Sequence, residues 1–314
     1  MLDKVMQDKV VVSDTQLSEV AEKMLALTTP SPLTDFKPDW PGAEFVSMQI
    51  KRDDLIHPII SGNKWRKLKH TLNALPGSCR HIISFGGGFS NHLHACGYLC
   101  MKLGIHFTAL VRGDYTAHPT PMLRDLASWQ ADIQYLDKTT YAKRTDPIWL
   151  ENLQKQYPES VLIPEGGSQA HALKGVAELL EEDNSACNHI GVPVGSGATL
   201  AGLIGANSHP VSVTGIAVLK GEGYLESLVQ ALLPATGQQQ PWQILHDYHQ
   251  GGYGKRNAAL TSFCDDMTQQ YDVPVEPVYS GKLLFAIKDL LEKRFFPDGT
   301  RLRIVHTGGL QGAR

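Results

Sequence analysis

The 314-residue sequence predicts an α/β protein, with open and mostly parallel sheets covered by helices on both faces. Two observations predict it. Short β-branched runs alternate with amphipathic stretches of helical length, the pattern left by consecutive βαβ units. Several of those runs pass straight into glycine clusters, as strands do where an open sheet meets a ligand at its carboxyl edge.

In chain order, HIISF (81–85) is a β-branched strand, followed by a glycine turn and an apolar-periodic helix reaching about Met101. HFTALVR (106–112) is the next strand, MLRDLASWQA (122–131) a helix, IQYL (133–136) a strand, and DPIWLENLQKQY (146–157) a helix. VLIP (161–164), HIGVPV (189–194) and VSVTGIAVL (211–219) continue the strands, with helices HALKGVAELLEE (171–182) and TLAGLIGAN (199–207) between them. GKLLFAIKDLLEKRFF (281–296) and RLRIV (301–305) close the pattern. No internal repeat is visible, and the segment 235–257 is the most loop-like.

Composition excludes several classes. The chain is 42% hydrophobic and 19% charged with a formal net charge of −3, and its basic residues form no long run, so neither nucleic acid nor a membrane surface is an expected partner. The first sixteen residues lack an apolar core, so no secretory signal is expected. The cysteines, 5 in number, show no disulfide framework, which points to a reduced, cytoplasmic setting. Cys96 and Cys100, four apart on a helix, could ligate a metal; two small buried residues on one face is the preferred reading, and no metal is expected.

Three loops follow strands. In SFGGGFSNHLHA (84–95), consecutive glycines permit close backbone approach, and Ser90 or Asn91 suits the N-cap of the next helix, whose free N–H groups favour an anion. In VPVGSGATLAGL (192–203), Gly195, Ser196, Gly197, Ala198 and Thr199 offer N–H groups and two hydroxyls, the donors that wrap a phosphate. The Lys-Ser/Thr ending of a nucleotide loop is missing, which disfavours ATP. In IVHTGGLQG (304–312), Thr307 stands at the end of a strand. A small phosphorylated cofactor against the sheet edge fits all three loops, and Lys64 of SGNKWRKLKH (61–70) is the candidate for a covalent hold.

Taken together, IKRDDL (50–55), SGNKWRKL (61–68), GGGFSNHLHA (86–95), GSGATLAGL (195–203), PVYSGK (277–282) and HTGG (306–309) resemble one family. It is the pyridoxal-phosphate (PLP) enzymes of the tryptophan-synthase-β fold (fold type II), in the branch of D-cysteine desulfhydrase and 1-aminocyclopropane-1-carboxylate (ACC) deaminase. The resemblance spans about residue 28 to the end. It implies two α/β domains, a large cofactor-binding one (1–67 and 161–314) and a small inserted one (68–160), and a homodimer. It implies that Lys64 holds the cofactor covalently, that Gly195–Thr199 bind its phosphate, and that Asn91 bonds the ring 3′-oxygen. Ser280 and Thr307 would lie against the cofactor, Thr307 near the pyridine nitrogen. Ser90, Asn91 and His92 would receive the substrate carboxylate, with Ser90, Tyr279 and, more loosely aligned, Tyr253 in proton transfer.

Within that branch, deaminases carry Glu after the tyrosine of PVY and Leu before the final glycines, and desulfhydrases carry small hydroxyl residues. Ser280 and Thr307 favour α,β-elimination of D-cysteine or a close analogue to pyruvate, hydrogen sulfide and ammonia. ACC deaminase, yielding 2-oxobutyrate and ammonia, is the alternative. A serine or threonine dehydratase shares the fold without the whole motif set. A catalytically silent PLP- or amino-acid-binding protein is the non-enzyme alternative, against which Lys64, Ser90 and Tyr279 together speak. His94 departs from the family's usual Arg, and Ala198 from a common Gly.

Overall fold

The computed structural model describes residues 16–182, 186–206, 210–234 and 240–313. The segment 1–15, where no secretory signal is expected, residue 207 of the expected helix 199–207, and the 235–239 part of the expected loop lie outside the described residues. Among the described residues the strands are β1 (Leu33–Phe36), β2 (Ser47–Arg52), β3 (His81–Gly87), β4 (His106–Arg112), β5 (Asp132–Leu136), β6 (Ser160–Ile163), β7 (His189–Val194), β8 (Ser212–Ala217), β9 (Trp242–Leu245) and β10 (Arg301–His306). The helices are α1 (Leu17–Leu25), α2 (Asn63–Asn73), α3 (Asn91–Leu103), α4 (Pro121–Ser128), α5 (Lys138–Ala142), α6 (Pro147–Gln156), α7 (Ala170–Ala177), α8 (Ala198–Ile204), α9 (Tyr224–Leu232), α10 (Ala258–Tyr271) and α11 (Ser280–Glu292).

One sheet has the order β1-β2-β10-β7-β8-β9, parallel except for β1, which runs antiparallel to β2. The other is all parallel, β5-β4-β3-β6. Both sheets are buried on two faces, as parallel strands joined by crossover helices require. On the six-stranded sheet, α10 and α11 cover one face through Met267, Leu283 and Ile287, and α7, α8 and α9 cover the other through Val176, Leu203 and Val229. On the four-stranded sheet, α2, α3 and α4 pack one face through Leu68, Leu93 and Leu126, while Tyr141 and Leu153 cover the other. The expected α/β architecture is the observed one.

Two stretches differ from expectation. The segment read as loop contains β9, which adds to the edge of the larger sheet through Trp242 and Ile244. β1 and β2 were not expected as strands, although β2 lies inside the sheet beside β10. Its Lys51 and Arg52 disguise it. Both are buried, Lys51 bonding Glu182 at 2.8 Å and Arg52 bonding Asp54 at 2.7 Å.

Helix α2 stands where the layers meet. Trp65, Leu68 and Leu72 join the core of the four-stranded side together with Ala21 and Leu25 of α1. From its opposite side the Arg66 guanidinium grips Asp53 through two bonds of 2.6 and 2.7 Å and Glu182 through two more of 2.8 and 2.9 Å. Burial works against the Arg66 charge, and Asp53 and Glu182 more than offset it, so its pKa lies above the usual value. The helix is therefore fixed by apolar contacts on one side and a buried ion cluster on the other.

Candidate functional site

Four chain segments leave the carboxyl ends of strands and converge around the first turn of α2. Beyond β2 the chain turns through Ser61 and Gly62 into α2, which places Lys64 in its opening turn. Beyond β10, the HTGG segment packs directly on that turn: Asn63 N–H donates to the Thr307 carbonyl at 3.3 Å, and Gly309 N–H to Ser61 Oγ at 3.4 Å. Gly62 is required here. Its φ is +64°, and a Cβ would collide with the Thr307 carbonyl.

Beyond β7 comes the 195–199 loop. The Asn63 side-chain amide donates to Thr199 Oγ1 at 2.8 Å, Ser168 Oγ to Ser196 Oγ at 2.7 Å, and Lys67 Nζ to the Gly166 carbonyl at 3.1 Å, with Ser196 Oγ 3.5 Å away. Gly197, at φ +82°, precedes α8, whose first N–H groups have no acceptor within the helix. Ala198 is fully buried as the first residue of α8, so the methyl in place of the family's usual Gly is accommodated.

Beyond β3, Ser90 is the N-cap of α3 and accepts from Leu93 N–H at 3.2 Å. Asn91 lies against Gly309 and accepts from the side-chain amide of Gln311, which ties this loop to the chain end. His92 faces the other way. Its ring is buried, with Nε2 2.8 Å from Ser84 Oγ, Cys96 Sγ at 3.7 Å and Gly167 beside it. His94, in place of the usual Arg, is buried 2.9 Å from Asp125 with its ring over Trp129. Cys96 and Cys100 are buried thiols, and burial raises the pKa of both.

A further wall carries the tyrosines. Tyr279 precedes α11, and a Cβ on Gly195 would lie 3.1 Å from its ring, so the phenol sits on the glycine loop. Its hydroxyl donates to Tyr253 Oη at 3.2 Å; Tyr253 is itself 48% exposed at the rim. Burial raises the pKa of both phenols, so both remain protonated at neutral pH. Behind Tyr279, fully buried Glu276 accepts N–H bonds from Val278, Tyr279 and Ser280 at 2.6–2.9 Å and lies 3.3 Å from Ser280 Oγ. The Ser280 hydroxyl is thus already engaged by a carboxylate.

Lys64 itself donates to Asn63 Oδ1 at 2.5 Å. Burial pulls its amine down to about 8, with Cys96 and Glu276 opposing. Burial also pulls Lys67 well below the ordinary lysine value, with Lys64 adding repulsion. Sequence reasoning missed Ser168, Glu276 and Gln311, and took Lys67 only as a cation near Lys64, not as a neighbour of the 195–199 loop. Lys67 follows Lys64 by three positions and so shares its helix face, the signal that could have placed it at the loop; the other three carried none. A groove of about 840 Å3 at the amino ends of β2 and β10, lined by Trp40, Met48 and Leu302, includes none of these residues.

A family model described as pyridoxal-phosphate dependent enzyme matches residues 41–308. The chain belongs to this family. Among its relatives is a Pyrococcus abyssi protein named as a provisional 1-aminocyclopropane-1-carboxylate deaminase, 28% identical over 85% of this chain and 86% of that one. A D-cysteine desulfhydrase of Salmonella paratyphi B is 30% identical over 83% and 86%. The crystal structure of an ACC deaminase homologue superposes with a TM-score of 0.75 at 23% identity, covering 93% of this chain and 95% of that one. The protein is accordingly a PLP-dependent enzyme of fold type II.

The residues present fit that cofactor. The buried Lys67 amine has a carbonyl and a hydroxyl as acceptors and no carboxylate within bonding distance among the described residues. A phosphate beside Ser196 would supply the counter-charge that favours the protonated form of this buried amine. Lys64, with its amine lowered to about 8, retains a nucleophilic neutral fraction of roughly a tenth at pH 7.

Proposed function

We propose that this enzyme is a lyase that eliminates sulfide from D-cysteine or a close analogue, giving pyruvate, hydrogen sulfide and ammonia with the uptake of one water. Bound PLP supplies an electron sink for the bond at Cα. Lys64 Nζ, whose lowered pKa makes it a usable base near neutrality, removes the Cα proton. Tyr279, kept protonated by burial and oriented by its bond to Tyr253, delivers a proton to the departing sulfur. Ser90 and the start of α3 receive the substrate carboxylate, and Asn91 is held for the ring oxygen by Gln311 and Gly309. The Gly195–Thr199 loop with Lys67 holds the phosphate.

The pair Ser280 and Thr307 carries the choice of substrate. Neither position supplies a carboxylate, and thiolate leaves readily without the stronger electron withdrawal that opening a cyclopropane needs. ACC deamination is the second reading. The observation favouring it is Glu276, a carboxylate 3.3 Å behind the Ser280 hydroxyl. The proposal includes a cytoplasmic homodimer with a small domain of about residues 68–160, extended to Ile163 so that β6 stays in its sheet.

The test is a product assay on purified, cofactor-loaded protein given D-cysteine, L-cysteine and ACC separately. Sulfide with pyruvate from D-cysteine, abolished in Lys64→Ala, is the expected result. 2-Oxobutyrate from ACC without sulfide from D-cysteine overturns the desulfhydrase reading.

A further inference from the structure

Lys282 lies in the first turn of α11, three residues after Tyr279, and its side chain is fully buried. Its amine makes no ion pair among the described residues. It donates to two backbone carbonyls, Val218 at 3.0 Å and Gly252 at 2.9 Å. These belong to pieces that otherwise touch the site separately. Val218 follows β8 and packs beside Gly195 of the phosphate loop. Gly252 precedes Tyr253 in a glycine-rich turn, where its φ of +125° is open only to glycine. Gly251, Tyr253, Gly254, Lys255 and Arg256 are all exposed, and the bonds within the turn are local: Gly251 N–H donates to His249 Nδ1 at 3.0 Å, Gly252 N–H to the His249 carbonyl at 3.0 Å and Lys255 N–H to the Gly252 carbonyl at 3.1 Å, so they shape the turn without tying it to β8. A buried ammonium bonded only to neutral carbonyls is an expensive way to fill a core position that Met could occupy. Packing alone does not account for it.

We propose that Lys282 is a positioning residue for the reaction: it clamps the 251–254 turn to the end of β8, so that the Tyr253 hydroxyl stays within reach of Tyr279. The proposal rests on the reading of the tyrosine pair as the proton-transfer group of the cleft. It separates Lys282 from Lys64 and Lys67, which act at the cofactor. The route is short: a hydrogen bond from Lys282 to the Gly252 carbonyl, the peptide link from Gly252 to Tyr253, and the hydrogen bond between Tyr253 and Tyr279.

The test uses the holoenzyme in four forms: parent, Lys282→Met, Tyr253→Phe and the double variant. Met matches the lysine stem in bulk and carries no donor. With D-cysteine, Lys282→Met lowers kcat/KM about tenfold or more, the scale of a lost charge-assisted bond. Added to Tyr253→Phe it costs less than about twofold further, because the clamp has nothing left to position. In parallel, trypsin cleaves native Lys282→Met after Lys255 and Arg256 at least tenfold faster than the parent, as read by mass spectrometry. Losses that multiply fully in the double variant, or cleavage at the parent rate, overturn the proposal. If the parent enzyme does not turn over D-cysteine, the lyase reading fails by itself and the cleavage rates alone decide for or against the clamp. Lys282→Gln, shorter but still a donor, is run alongside and is judged by the same cleavage readout should the Met variant not accumulate folded.

Discussion

Replacing Lys67 by Met separates cofactor binding from folding. In the protein the Lys67 amine is buried beside Ser196 with only a carbonyl and a hydroxyl as acceptors, and its pKa is pulled down by burial and by Lys64. Methionine keeps most of the stem's volume and discards the charge. A hydrogen bond from a charged donor contributes about 1.5–3 kcal/mol, so cofactor affinity falls by about tenfold to a hundredfold. The apoprotein, in which burial and Lys64 already disfavour the charged form of this amine, loses little stability. Equilibrium titration of apoprotein with pyridoxal phosphate gives the first quantity and urea unfolding of the apoprotein the second. An unchanged Kd would refute the assignment of Lys67 to the phosphate. A drop in apoprotein stability equal to the loss in binding would reduce Lys67 to a packing residue.

Three further outcomes follow from the geometry. Because the Lys64 amine is lowered to about 8, its neutral fraction grows about tenfold per pH unit below that value and saturates above it. Stopped-flow rates of cofactor capture therefore climb from pH 6 and level off above about 8; a climb continuing to pH 10 would indicate an ordinary exposed lysine. Arg66→Met strips the buried Asp53 carboxylate of its two guanidinium bonds and removes the link to Glu182, a loss of about 3–5 kcal/mol in denaturant unfolding; under about 1 kcal/mol would contradict the buried network. Gly309→Ala forces a side chain into φ +87° and onto the Asn91 amide, destabilising by about 1–3 kcal/mol. An unfolding midpoint identical to the parent's would show that the HTGG segment does not press on Asn91.

Much of the fold could be read from the sequence because its parallel strands are short, β-branched and followed by glycine. HFTALVR (106–112) corresponds residue for residue to β4. β2 escaped because Lys51 and Arg52 look like solvent-facing residues until Glu182 and Asp54 are brought against them by the fold. β9 escaped because it is only four residues long and sits among turn formers. At the site, the glycine loops and Lys64 were visible as local patterns. Glu276 was not: an acidic residue before a proline says nothing until the chain turns and three N–H groups point at it. Nor does a sequence tell which side of α3 His92 faces, since its neighbours Ser90 and Asn91 bracket the point where extended chain becomes helix.

Helix α2 is a surface helix by composition and an interior one by placement: Trp65, Arg66, Lys67 and Leu68 are all buried. Its two sides answer to different neighbours, the α1 and α3 core on one and the Asp53–Glu182 cluster on the other. A saturation mutagenesis scan would consequently find no permissive position in the turn 65–68 of this helix. The conservative exchange of Lys67 for arginine, harmless on most helices this basic, would be rejected there, whereas the partly exposed Lys69 would accept it.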